Sequence, residues 1–178
     1  MITRRTVVHC TRAIRDLWPT PLAKQWHQQY PGLFDEDDLR LTRTQPKNHF
    51  SEWFGAIYLY HRDGSSALVE KYVYKKHPRK IELFKKVIPP DDRAVLAEIQ
   101  AEFEVQLPDL LVFSADHTSY GFAEVKGPGD RLRPKQTRSH EALRERLGVA
   151  VEIIDVRIAD PRLPHLALHP SGRSAHDG

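Results

Sequence analysis

Asp109, Glu124, Lys126 and Gln136 are residues whose types and spacing suit one piece of chemistry. The glutamate follows the aspartate by fifteen positions, and Gln136 follows the lysine by ten. Hydrolysis of a phosphodiester needs a hydroxide at neutral pH and a sink for the negative charge that builds on phosphorus. A divalent ion held by carboxylates supplies both by polarising its bound water. Two carboxylates offer hard oxygen ligands of the kind that Mg²⁺ or Mn²⁺ takes. A lysine beside them adds one positive charge. Its ammonium can bind the attacking water or the scissile phosphate, or, with a lowered pKa, help to take the proton.

These side chains need elements that bring them together. Tyr120 to Lys126 is predicted as a strand, and the period of two puts Phe122, Glu124 and Lys126 on one face, with Ala123 and Val125 on the other. A second apolar run, Leu110 to Phe113, follows Pro108-Asp109 and precedes the turn-like segment Ser114 to Ser119, so the two runs read as a β-hairpin. Asp109 then lies at the mouth of the first strand, where pairing brings it beside Glu124. A helix is predicted over 134–147, with Gln136, His140, Leu143 and Leu147 on one stripe and Gly148 as its stop. On that stripe Gln136 faces the sheet; as an isolated residue it would instead be a solvated first-turn glutamine. His140 is left outside the core site, since a hydrogen-bonded histidine at the helix–sheet boundary is an equal reading. Arg133 stands where an N-cap prefers Ser, Thr, Asp or Asn, directly before Pro134, which leaves Asp130 as an alternative cap.

Pro108-Asp109, Glu124-Val125-Lys126 and Gln136 together resemble the PD-(D/E)xK nuclease superfamily. The longer string EVKGPGDRLRPKQ, from Glu124 to Gln136, resembles its VRR-NUC branch, with the likeness dense over 107–156. The resemblance implies a restriction-endonuclease-like α/β core. It also implies that Asp109, Glu124 and the Val125 backbone carbonyl bind Mg²⁺ or Mn²⁺, that Lys126 is the catalytic lysine, and that Gln136 orients water, metal or phosphate. Many nucleases of this superfamily take a further carboxylate from a helix before the hairpin. The helix predicted over 48–60, which Asn48 can cap, has Glu52 as its only acid. Glu52 shares a face with Ala56 and Leu59, and metal binding would be a reason to place a charge there. The plainer alternative is a solvated first-turn glutamate favoured by the helix dipole.

With 178 residues, 40% of them hydrophobic, and three tryptophans, one core of useful size is possible. No run is long enough to span a bilayer, no signal peptide is indicated, and Cys10 is the single cysteine, so neither an internal disulfide nor a cysteine zinc site can form. A cytoplasmic location, nucleoid-associated in a bacterium, is the default expectation. The organisation expected is a segment of unclear role over 1–45, with a helix over 21–29 and an acidic turn at Asp35 to Asp38, then a nuclease domain over 46–158 and a flexible tail over 159–178. Within the domain a strand is predicted over 67–74 and a helix over 91–103. The hairpin, the 134–147 helix and a strand over 149–156 complete an α-β-α-β-β-α-β order, a mixed β-sheet flanked by helices.

The net charge is +3, but its placement says more. Seven Lys and Arg residues fall within the sixteen residues from Lys71 to Lys86, with Glu82 the only acid among them, and Arg131, Arg133, Lys135 and Arg138 follow the candidate catalytic strand. Alone, such runs are usually solvated faces. Beside a phosphodiesterase constellation they point to DNA, with Lys75, Lys76, Arg79, Lys80, Arg131, Arg133, Lys135 and Arg138 as candidate contacts. Tyr72, Tyr74 and His77 interleave with the first run and suit either base stacking or a half-buried strand, the latter favoured. The expectation is a metal-dependent endonuclease for branched or structured DNA, such as Holliday junctions, acting as a homodimer. The alternatives are a restriction, defence or mobile-element endonuclease with a partner, and a non-catalytic DNA-binding subunit.

Overall fold

The computed structural model describes residues 4–69, 72–73, 76–149 and 151–159. In chain order the elements are β1 (Arg5–Cys10), α1 (Arg12–Asp16), α2 (Leu22–Gln29), α3 (Glu36–Thr44), α4 (Phe50–Asp63), β2 (Ser66–Val69), α5 (Pro78–Val87), α6 (Pro90–Phe103), β3 (Leu110–Phe113), β4 (Tyr120–Lys126), α7 (Pro134–Leu147) and β5 (Val151–Ile158). They form a five-stranded mixed sheet in the order β1-β5-β4-β3-β2. β4 and β3 pair antiparallel, as do β3 and β2, whereas β5 runs parallel to both β4 and β1. The α-β-α-β-β-α-β order is present from α4 onward, with α5 inserted after β2. This is the restriction-endonuclease-like α/β architecture that the sequence led us to expect.

Strand alternation divides the core in two. Ala123, Val125, Leu110 and Ile154 pack beneath α4, together with Trp18, Phe34 and Trp53. Phe122, Leu111 and Ile153 face the opposite layer, meeting Leu96 and Ile99 of α6 and Leu143 of α7. The first layer depends on Gly55: a Cβ built there would lie 3.1 Å from Val125 Cγ2. Glycine thus lets α4 sit close to β4, so that Glu52, one turn earlier, is held at a fixed depth against the sheet.

Residues 4–45, the described part of a segment whose role the sequence left obscure, contribute to this core. β1 forms an outer strand beside β5, with Arg5 opposite Ile153 and Cys10 opposite Ile158. The Phe34 ring stacks on Trp53 with centroids 3.8 Å apart and planes within 6°, and Trp18 meets Trp53 edge-on at 5.4 Å. Asp35 to Asp38 is not a free turn but the start of α3. The Asp35 carboxylate accepts from the Asp38 amide at 2.9 Å, while Asp38 Oδ2 accepts from the Asp35 amide at 3.1 Å. The reciprocal bonds satisfy two amides that a helix start leaves open.

Other local expectations change. β2 ends at Val69, which pairs with Leu110 at the start of β3, and of the rest of the strand predicted over 67–74 the described residues Tyr72 and Val73 form a turn. Tyr72 lies after the strand end, buried, its hydroxyl donating to the Pro108 carbonyl at 2.7 Å. That burial removes it as a base-stacking platform; His77 is buried too, and Tyr74 lies outside the described residues. The cap of α4 is His49, with φ of 71° and no side-chain cap bond, rather than Asn48. Asp130 does not cap α7 either: its carboxylate accepts from the Gly127 amide at 3.2 Å. Among the described residues, no helix is long and apolar enough to cross a membrane. The tail from residue 160 lies outside the described residues.

Candidate active site

The hairpin register sets the first two carboxylates. Leu110 pairs with Ala123, which brings Asp109 alongside the next residues of β4, and Asp109 Oδ2 accepts from the Val125 amide at 2.8 Å. One carboxylate oxygen therefore ties the mouth of β3 to β4. The Tyr72 bond to Pro108 holds the preceding residue from the other side. Burial pushes the Tyr72 pKa well above 10, and the negative charges of Asp109 and Glu124 push it the same way.

Glu124 is 2% exposed and Lys126 8%, both on the face of β4 that meets α7. Lys126 Nζ donates to Glu124 Oε1 at 2.6 Å, and Gln136 Nε2 donates to the same oxygen at 2.5 Å. Gln136 Oε1 lies 3.4 Å from Lys126 Nζ and accepts from the Arg133 backbone amide at 3.1 Å. That last bond explains how α7 starts with arginine at its cap: the N3 glutamine reaches back to the cap amide, as in half of a capping box. His140, one turn further along, places Nε2 3.6 Å from Glu124 Oε2. The i, i+4 spacing from Gln136 was the sequence signal for it.

Burial alone would raise the Glu124 pKa. Hydrogen bonds from His140 and Lys126, together with their charges, outweigh it and bring the carboxyl below its ordinary value of 4.5. A buried acid held ionised beside a buried lysine is costly in desolvation, and groups perturbed in this way cluster at functional sites.

Asp109, Glu124, Lys126 and Gln136 border a cleft of about 800 Å³, whose walls also include Glu52, Val125 and the rim residues Arg131, Arg133 and Lys135. Glu52 thus reaches the same cleft as Asp109 and Glu124 although α4 lies on the other side of the sheet. Among the described residues, no three acidic, histidine or cysteine side chains converge into a ready ligand set. The donors gathered around the cleft are nevertheless carboxylate and carbonyl oxygens, the chemistry a hard divalent ion takes, and Glu124 is held ionised.

The candidate DNA contacts divide. Arg131, Arg133 and Lys135 lie on the cleft rim, with Lys135 paired to Glu104 at 2.6 Å, and Arg138 is exposed on α7 but does not border the cleft. Lys76 is exposed, and Lys75 lies outside the described residues. Arg79 donates to Asp35 and to the Gly32 carbonyl, both at 3.1 Å. Lys80 is not available for DNA. It is fully buried, donates to the Val69 carbonyl at 2.6 Å and pairs with the buried Asp38. Asp38 lies 42 residues away in the chain, so local charge density carried no sign of the pairing.

A mixed sheet whose central hairpin carries Asp109, Glu124 and Lys126, with a crossover helix returning Gln136 to them, defines the class: a nuclease-type restriction-endonuclease-like domain. The VRR-NUC domain model matches residues 52–158, and the chain belongs to that family. It is 45% identical over 56 residues to Fanconi-associated nuclease 1 of Danio rerio, covering 32% of this chain and 6% of that protein. A crystal structure of paFAN1 bound to 5′-flap DNA with a gap aligns at 29% identity and a TM-score of 0.43, covering 62% of this chain and 21% of that one. The chain therefore spans only a small part of either relative.

Proposed function

We propose that this chain is a Mg²⁺- or Mn²⁺-dependent DNA endonuclease selective for branched or otherwise structured DNA. The observation that carries this reading is the single cleft in which Asp109, Glu124, Lys126 and Gln136 meet beneath a rim of Arg131, Arg133 and Lys135. Membership of the VRR-NUC family supports it.

Asp109, Glu124, Glu52 and the Val125 carbonyl would hold the ion. When bound, such an ion supplies Lewis acidity and an activated water. Gln136 fixes the orientation of the Glu124 carboxylate from α7. Lys126 holds a positive charge at the cleft floor, where it offsets Glu124 and lies ready for a phosphate oxygen or a water. The rim arginines and Lys135 bind phosphates on either side of the scissile one. Resolving a junction takes two cuts, so a homodimer presenting two sites is the economical assembly.

The test is cleavage of junction, flap and linear duplex substrates in Mg²⁺ or Mn²⁺, with mass in solution measured alongside. Faster cleavage of branched substrates is expected. Equal rates on all of them would sink structure selectivity and favour a restriction or defence role, and no cleavage of any would sink the enzyme reading.

A further inference from the structure

A second polar pocket, of about 300 Å³, opens next to the cleft and shares Glu52 and Asp130 with it. Its remaining walls come from residues that precede the family-matched segment, among them Arg15, Gln45, Lys47, His49 and Ser51. We propose that this pocket binds a phosphate group of the nucleic-acid strand whose scissile phosphate occupies the neighbouring cleft, which makes the N-terminal segment a substrate-contacting element. The proposal rests on the nuclease reading and deepens it.

Three observations converge on an anion. The pocket brings together cations from separate elements: Arg15 from α1 and Lys47 from the loop before α4. The Arg15 guanidinium stacks on the Phe50 ring, its Cζ 4.7 Å from the centroid, an arrangement that fixes its plane while its N–H edge can serve a phosphate. The turn between them is held in an unusual shape. His49 adopts φ of 71°, its ring lies 3.2 Å from Gln45 Oε1, and the Trp18 indole donates to the Asn48 carbonyl at 2.9 Å. A left-handed histidine costs free energy that the surrounding structure must overcome, and such residues cluster at binding sites.

The pocket also lies in the right place. A Cβ on Gly127, the residue after Lys126, would fall 3.0 Å from Ser51 Oγ and 3.3 Å from Asp130 Oδ2. The end of the candidate catalytic strand therefore abuts the pocket wall directly. Of the two acids on the shared border, Asp130 is turned toward the Gly127 amide. Glu52 is the acid proposed to face the ion, whose charge would offset it.

The test compares Arg15→Met and Lys47→Ala, singly and combined, with the unaltered chain. Methionine keeps an aliphatic stem over Phe50, and Lys47 is exposed, so thermal melts should match. Binding of a labelled tailed duplex is measured by anisotropy in Ca²⁺ over a salt series, with the tail carrying either a 5′-phosphate or a 5′-hydroxyl. Single neutral methylphosphonates are placed along the same strand. The double variant should bind roughly tenfold more weakly and lower the salt slope by about two, and one methylphosphonate position should cease to matter in it. An effect seen only with the 5′-phosphate assigns a strand end to the pocket, and an equal effect with both tails assigns an internal phosphate; either supports the proposal. Unchanged affinity and slope, with cleavage in Mg²⁺ intact, overturns the pocket and leaves the nuclease reading standing. A chain that neither binds nor cleaves DNA overturns both.

Discussion

Lys126 sets its ammonium 2.6 Å from Glu124 Oε1, two residues back on the same face of β4, and both side chains are buried. The strand alternation that places them together also withdraws them from bulk water, so each charge depends on the other. Together with the bond from His140, this contact holds the Glu124 carboxyl below its ordinary pKa against the opposing effect of burial.

Replacing Glu124 with glutamine should therefore remove cleavage, by at least about a hundredfold, while the new amide keeps an oxygen near Lys126 and the fold survives. DNA binding in Ca²⁺ should change little. Turnover assays paired with anisotropy check both halves, and undiminished turnover would refute the site.

The pH dependence follows from the lowered Glu124 pKa. A carboxyl whose folded pKa lies below its unfolded value contributes stability above the unfolded value, and loses it as pH falls through the folded one. Gln136→Glu would set a second carboxylate against Glu124 Oε1 and raise that pKa by like-charge repulsion. The acid limb of kcat/KM should move to higher pH in this variant. A limb that stays in place would mean that Glu124 does not control it.

Lys80 makes the opposite forecast from a DNA contact. Lys80→Met leaves Asp38 buried without its cation and should cost about 3–5 kcal/mol in urea unfolding, with part of the loss recovered by adding Asp38→Asn. DNA affinity of the folded variant should be unchanged. Burial raises the Asp38 pKa to about 6 despite the attraction of Lys80. Between its ordinary value and about 6 the folded chain therefore holds more proton than the unfolded one, and this group's contribution to stability falls as pH rises through that window. Asp38→Asn should flatten that part of the profile.

Phe34→Ala removes the ring stacked on Trp53 and should cost about 3–5 kcal/mol by chemical denaturation. A value near zero would mean that the N-terminal segment packs only loosely on the nuclease core.

Much of the site was legible because its geometry is local. Two-residue alternation put Glu124 and Lys126 on one face, and a four-residue helical step put Gln136 and His140 on one stripe; both rules act over a single element. What stayed hidden depends on distant partners. Arg5 to Cys10 is a strand because β5 lies beside it, with Arg5 opposite Ile153 far along the chain. Lys80 sits in a run of basic residues, yet its environment is set by Asp38 and by the end of β2. Tyr72 alternates like a strand residue, but it lies in a turn beyond the end of β2, its hydroxyl bonded to the distant Pro108.

Gly55 has a consequence for ion choice. Glu52 and Glu124 belong to different layers, so the distance between them is set by how closely α4 rests on β4, not by any loop. A methyl group at position 55 would meet Val125 Cγ2 at 3.1 Å, so that either this side chain or the seat of α4 on β4 must give by a few tenths of an ångström. That is comparable to the difference in bond length between Mg²⁺, which accepts little deviation, and larger, more tolerant ions. If the carboxylates hold an ion as proposed, the absence of one side chain at position 55 would be the gauge that sets which cation they can grip.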